Sequence, residues 1–381
     1  MPNNPDKHHP NYKHNLFSMQ SSESKIINYL LKIAFSLTVL VFAVTACGPG
    51  REIVNPYEGV DWETHVQYKA NFHTHTTRSD GRLNPHMVVD RYHQLGYAIL
   101  AITDHNEVTY PWTAFAEMTE SQTSRNRMEN VPETMPDNFN FENRDPVALQ
   151  MVDIQANELS RHHHTGSFFN DHNGTETEIE SLDATLAKDG ITMLYHPGRY
   201  QERNPEIYNL QWYIDVYGNY DHLFGLEVYN QGDRYPNDRH MWDSILTVMM
   251  PGRPVWGYSN DDMHSGNHIG RNWNLLILPE LNHELVRHGM EKGLSFFVYA
   301  PEGHDGPPPP VIESIRVNGR RGTIEISATG YNSVTWVSGG EIVHEGISIN
   351  LNELENNFSY VRAKLQGPGG TVKGTQPFGI R

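Results

Sequence analysis

Between residues 67 and 300 short apolar runs alternate with stretches patterned for helices, and this alternation constrains the fold more than any other feature. Tyr68 to His73 reads as a strand. Asn84-Pro85 then opens a helix running to about Leu95, with asparagine as cap and proline in the first turn. The runs "YAILAIT", "LQMVDIQANE", "ITMLYH", "LFGLEVY", "RPVWGYS", "NLLILP" and "SFFVYA" follow. Helical candidates lie between them at 176–188, 205–216, 238–249 and 281–292. A strand–helix repeat over about 235 residues predicts an α/β domain with a parallel sheet, and the length suits a barrel better than a small open sheet. The polar stretch 107–147 reads as an insertion between two strands, placed to cover a site.

The pattern changes at "PEGHDGPPPP", residues 301–310, a stiff linker. Beyond it, residues 311–381 carry short alternating strands with Gly and Asn turns, which predicts a small antiparallel β-sandwich. That segment holds a single histidine, His344, so the chemistry lies upstream.

Residues 1–47 have a different character, and 48–66 read as a linker. Lys25 and Lys32 precede an apolar run, Ile33 to Val44, of signal-peptide length and too short for a comfortable membrane span. Val44-Thr45-Ala46-Cys47 resembles the lipobox of bacterial lipoproteins, whose cysteine is lipidated and becomes the mature N-terminus. The other reading is a buried apolar helix that ends in a chance cysteine. The lipobox reading implies export and anchoring through Cys47 to a bacterial membrane, periplasmic or at the cell surface. Cys47 is the only cysteine, so no internal disulfide can form.

Net charge is −17 with no basic stripe to offset it, which argues against a stable complex with nucleic acid. Histidine is over-represented, at 22 residues, and its placement is ordered. In a strand, side chains at i and i+2 share a face, so His73 and His75 in "NFHTHTTRSDG" aim two imidazoles at one point. Asp80, on the turn that follows, can bring a carboxylate alongside. The next strands end in Asp104 and His105 ("ITDHN"), in Glu158 with a choice among His162, His163 and His164 ("ANELSRHHHTG"), and in His196 ("LYHPGR"). Further on, "YSNDDMHS" supplies Asp262 and His264 at the same i, i+2 spacing. In a parallel barrel all these strand ends face one rim. A set of imidazoles and carboxylates suits Zn²⁺, Mn²⁺ or Fe²⁺ better than the oxygen-seeking Ca²⁺ or Mg²⁺.

With these pieces the chain resembles the polymerase and histidinol phosphatase (PHP) superfamily of metal-dependent phosphoesterases. The matching motifs are "HTHTTRSDG" and "ITDHN", "NELSRHHHTG", "YHPGR" and "SNDDMH", spread over residues 68 to 300. The resemblance implies a distorted (β/α)7 TIM-like barrel that binds up to three divalent transition metal ions. It implies hydrolysis of a phosphomonoester or phosphodiester, small or polymeric, by a hydroxide bridging the metals. Carried over, His73, His75, Glu158 and Asp262 would hold one ion. Glu158 would bridge to a second, shared with the second-motif histidine and His196, while Asp80, His105 and His264 would hold the third. Of the three histidines at 162–164, His164 fits the family pattern better, because "TGSFF" follows it.

Outside the ligand set, Arg199 is the candidate to take a phosphate oxygen, or else forms a surface ion pair. Asp104 could orient a ligand imidazole or cap a helix. Glu227, Tyr229 and Asn230 end a strand on the same rim and could touch substrate. Two other functions compete. An amidohydrolase-like enzyme acting on C–N or C–O bonds would also begin with His-x-His, but it needs a bridging lysine on a strand, and the candidate Lys188 falls in a helix. A cell-surface, metal-dependent binding protein is the alternative without catalysis.

Overall fold

The computed structural model describes residues 52–115 and 144–381. The leader-like segment through Cys47 and most of the stretch 107–147 lie outside the described residues. A short strand β1 (Ile53–Val54) precedes β2 (Val66–Asn71), helix α1 (Pro85–Gln94) and β3 (Ile99–Ala101). Next come α2 (Pro146–Leu149), β4 (Val152–Ile154), β5 (Ala156–Leu159), β6 (Thr165–Phe168), α3 (Glu178–Ala187) and β7 (Ile191–Leu194). They are followed by α4 (Pro197–Arg203), α5 (Leu210–Asn219), β8 (Leu223–Asn230), α6 (Asn237–Met249) and β9 (Trp256–Asn260). β10 (Asn272–Leu278), α7 (His283–Lys292) and β11 (Ser295–Tyr299) complete the α/β part.

Local chemistry sets these boundaries. α3 starts with a reciprocal capping box between Thr177 and Glu180, and acidic Glu178 and Glu180 sit in its first turn. α7 is capped by the Asn282 side chain and stops at Gly293, which takes the left-handed conformation. α1 begins after Asn84 with Pro85 at its first position, but Asn84 makes no side-chain cap. Its Oδ1 accepts instead from Thr77 Oγ1 at 2.6 Å, on the loop that follows β2.

Parallel pairing occurs in two arcs. β2, β3 and β4 pair in parallel, as do β7, β8 and β9. Elsewhere the strands run antiparallel, which the alternating pattern did not foretell. The five residues between β5 and β6 are too few for a crossover, so these two form a hairpin, and β6 pairs antiparallel with β7. β10 likewise runs antiparallel to both β2 and β11. The run "LQMVDIQANE" is interrupted at Gln155, so that β4 joins β3 while β5 joins β6. An isolated parallel bridge Thr74–Met263 links the chain just after β2 to that just after β9, and a second, His105–Glu158, links the chain after β3 to β5.

The C-terminal strands β12 (Val311–Asn318), β13 (Thr323–Thr329), β14 (Ser333–Ser338), β15 (Glu341–Glu345), β16 (Ser348–Asn350), β17 (Tyr360–Gln366), β18 (Val372–Gly374) and β19 (Phe378–Ile380) are antiparallel. They are continuous with the α/β part through β18, which pairs with β11 from Phe297↔Gly374 to Tyr299↔Val372. Any Cβ at Gly374 would collide with the Phe297 ring, so the close approach of these strands requires glycine there. β1, within the stretch expected as a linker, pairs with β19, and Tyr57 is buried against Phe296 and Phe378. Among the described residues, no helix is long and apolar enough to cross a membrane.

Candidate metal centre

His73 and His75 leave the end of β2 fully buried. Their stretch is fixed on both sides, by His75 N donating to Met263 O and Thr103 N to Thr74 O, each at 2.8 Å. The His73 ring stacks on Tyr195 with centroids 3.7 Å apart, and its Nδ1 donates to Glu227 Oε1 at 2.9 Å. Nε2 therefore faces the interior. There it lies 3.1 Å from His75 Nε2, 3.2 Å from Asp262 Oδ1 and 3.5 Å from Glu158 Oε1. His75 Nε2 is in turn 3.2 Å from both Glu158 Oε2 and Asp262 Oδ1.

The Ser-Asp-Gly turn brings Asp80 to the same place. Gly81 packs so tightly that a Cβ would lie 2.5 Å from His75 O. Asp80 carboxylate oxygens lie 3.5 Å from His105 Nε2 and 3.3 Å from His264 Nε2. Asp104 anchors this turn and does not meet an imidazole. Its Oδ1 accepts from Thr76 N (2.7 Å) and Ser79 Oγ (2.6 Å), and its Oδ2 from Thr76 Oγ1 (2.7 Å) and Thr109 Oγ1 (2.6 Å). It thus holds the loop that carries His75 and Asp80.

Glu158 sits at the centre. His164 Nδ1 is 2.6 Å from its Oε1, His105 Nδ1 is 2.8 Å from its Oε2, and His196 Nε2 is 3.5 Å from its Oε1. The adjacent His163 turns the other way. It is stacked between Tyr200 and Trp212, with Nε2 3.1 Å from the Tyr213 hydroxyl, and burial pushes its pKa well down. His196 and Asp262 both take left-handed backbone, with φ of 32° and 44°.

Four donor groups can each hold a cation: His75–Asp80–His105–His264, His73–His75–Asp262, His73–Glu158–His196 and His105–Glu158–His164. All nine side chains that the family resemblance implied as ligands appear in these groups. Their chemistry and spacing fit divalent transition ions. A tetrahedral ion with bonds of about 2.1 Å holds its ligands about 3.4 Å apart, close to the separations found here. The electrostatics agree. Burial opposes charge on His73, yet Asp262, Glu227 and Glu158 raise its pKa to about 10. His75 and His105 are raised to about 10 against the same opposition. Burial would neutralise Glu158 and Asp262, but the surrounding imidazoles hold both well below the usual carboxylate range. The cluster concentrates negative charge that calls for cations, and protons take that place when metals are absent.

A cavity of about 310 Å³ opens above these residues, and Arg199 and Arg234 add their guanidinium groups to its wall. Arg199 Nε is buried and has no hydrogen-bond partner among the described residues. Arg234, on the turn after β8, had no sequence signature. Glu227 and Asn230 do not reach the cavity: Glu227 is buried behind His73, and Asn230 donates to it at 2.9 Å. Tyr229 stacks on Tyr299. Lys188, the only candidate for a bridging lysine, is exposed and paired with Asp171 at 2.5 Å.

No family model matches the chain, and no curated protein sequence does. Among solved structures, it is similar to a two-domain protein from Bacteroides vulgatus described as containing a predicted PHP-like metal-dependent phosphoesterase. Identity is 14% and the TM-score 0.47, covering 84% of this chain and 96% of that one. An amidohydrolase from Chromobacterium violaceum, with bound sulfate and no metal, gives 14% identity, a TM-score of 0.36, and coverage of 52% and 88%. A Bifidobacterium adolescentis protein, provisionally named a metal-dependent phosphoesterase, gives 14%, 0.36, and coverage of 59% and 96%. The chemistry therefore has to be read from the site's own geometry.

Proposed function

We propose that this protein is a metal-dependent hydrolase of phosphoesters, working with three divalent transition ions. The observation that carries the reading is the convergence of six imidazoles and three carboxylates about Glu158, on the floor of a cavity whose wall carries two arginines. Ions bound there would supply Lewis acidity, activating water and neutralising phosphoryl charge. The chain's own residues do the rest. Glu158, in contact with five imidazoles, would be the natural bridge between ions, and Asp80 reaches His105 and His264. Arg199 lines the cavity, and its Nε–H has no partner among the described residues, so its guanidinium is a candidate to take a phosphoryl oxygen. Phosphoryl transfer mostly demands positioning and charge neutralisation, which this set provides without a nucleophilic Ser or Cys.

The two parallel arcs, linked by the bridges Thr74–Met263 and His105–Glu158, support reading the α/β part as a distorted seven-stranded barrel. Export and anchoring through Cys47 rest on the order of basic, apolar and small residues before it. The test of function is a panel of phosphomonoesters and phosphodiesters beside carboxylic esters, lactones and amides, with Mn²⁺ and Zn²⁺ supplied. Phosphoester turnover, inhibited competitively by phosphate, is expected. Turnover restricted to the carbon-centred substrates would overturn the proposal in favour of amidohydrolase-like chemistry.

A further inference from the structure

We propose that Glu227, which no ligand pattern includes, is a positioning residue that fixes the tautomer of His73 and the backbone of His196. The inference rests on the metal-centre reading above. Glu227 lies in β8, flanked by β7 and β9, and is fully buried. Its two oxygens are filled by four donors. Oε1 accepts from His73 Nδ1 and from Asn260 Nδ2, each at 2.9 Å. Oε2 accepts from His196 N and from Asn230 Nδ2, also each at 2.9 Å.

Two of the four donors cannot reverse. The His196 donor is a backbone N–H. Asn260 is held in orientation because its Oδ1 already accepts from Phe72 N at 3.2 Å and Asn274 Nδ2 at 3.0 Å. Only a carboxylate offers acceptors to all four. With Nδ1–H bonded to Glu227, Nε2 is the ring nitrogen of His73 that faces Asp262, His75 and Glu158, and the one that would meet a cation. The same carboxylate grips the N–H of His196, whose left-handed backbone would otherwise tend to relax. One side chain thus sets two proposed ligands that follow different strands, and a carboxylate behind a ligating imidazole also raises its basicity.

Glu227→Gln is the informative change. Its amide must face one oxygen's donors with an NH₂ group. On either side it meets a donor that cannot reverse, the His196 N–H at the Oε2 position or Asn260 Nδ2 at the Oε1 position. Turned to Oε2 it releases the His196 backbone; turned to Oε1 it loses Asn260 and makes His73 Nδ1 accept, which moves the proton to Nε2 on the cation side. Wild-type and Glu227→Gln proteins, stripped with chelator, are titrated with Zn²⁺ and Mn²⁺ against a chromophoric chelator, and unfolding midpoints are recorded without metal. A loss of roughly 10- to 100-fold in metal affinity of the folded variant is expected. Glu227→Asp, which keeps the charge but withdraws it by one methylene, should fall between the two and serves if the amide variant does not fold. Wild-type affinity in Glu227→Gln, or in Glu227→Asp where the amide variant does not fold, would overturn the assignment. So would a stability loss without any change in affinity, since that is a purely structural role. A wild-type protein that takes up no divalent ion overturns the metal centre and this inference together, and is told apart by that first titration.

Discussion

Asp104 separates two roles that its place beside His105 could not distinguish, and substitutions there give opposed expectations. Its Oδ2 is bonded only to hydroxyls, those of Thr76 and Thr109, which can rotate from donor to acceptor. Its Oδ1 accepts from the Thr76 amide, which cannot, as well as from Ser79. In Asp104→Asn the amide nitrogen therefore settles at the Oδ2 position and every bond survives in weaker, uncharged form. The loss should be about 1–2 kcal/mol. Asp104→Ala strands the buried Thr76 N–H at about 1–3 kcal/mol and adds a small polar void, for a total of about 3–5 kcal/mol. The loop that carries Asp80 would loosen with it, so metal affinity should fall in the alanine variant and hold within a few-fold in the asparagine one. Urea unfolding of chelator-treated protein measures the first effect and competitive metal titration the second. Equal losses in the two variants would refute the hydroxyl-rotation argument. An alanine variant within 1 kcal/mol of wild type would refute the anchoring role itself.

Three other outcomes are expected. His73, His75 and His105 are raised to about 10 without metal, so below their unfolded value near 6.5 they contribute their full stabilisation, which fades as pH climbs through about 10. At pH 7 each therefore holds a proton that an incoming ion must displace. Metal affinity should rise with pH toward 10, and calorimetry in buffers of different ionisation enthalpy should detect proton release; a buffer-independent enthalpy would contradict this. Arg199→Ala should lower turnover on the order of 10²-fold and weaken inhibition by phosphate, with metal content unchanged. Cys47→Ser should leave the chain unprocessed or free it from the membrane fraction, and a variant that fractionates as wild type does would end the anchor proposal.

The ligand-type residues were legible because each sits where chain geometry dictates its direction. His73 and His75 share a strand face at spacing two, and Asp80 follows on a turn whose glycine is sterically required. His163 and His164 illustrate the limit of that logic. They are neighbours in the bent loop between β5 and β6 and point to opposite sides, one into an aromatic box and one onto Glu158, and which is which depends on the path of that loop, which leaves no periodic signal. Glu227 was placed on the rim as a substrate contact, and the pairing of β8 with β9 shifts register between Glu227 and Tyr229. An irregularity of that kind re-aims side chains without leaving a mark in apolar periodicity. Arg234 lies in a turn, and β1 is two residues long, so neither carries a period at all. Strand direction was hidden for a related reason: an apolar run reports burial, not the orientation of the neighbour that buries it.

The site also departs from what stability alone would choose, in a way that points to its use. Three non-glycine residues at the rim, His196, Gln231 and Asp262, take left-handed backbone with φ of 32°, 44° and 44°. Each such residue costs about 1–2 kcal/mol. They persist because neighbours hold them: Glu227 takes the His196 N–H, and Gln231 Nε2 donates to Asp262 O at 2.9 Å. Three buried or half-buried carboxylates and six imidazoles are crowded together at the same place, with donor atoms 2.6–3.5 Å apart. Strain and like-charge crowding that coincide at a cavity floor are hard to explain as packing, because an apolar cluster would fill the space at lower free energy. Divalent ions would resolve the crowding, by giving the carboxylates their counter-charge and the imidazoles a common partner in place of protons.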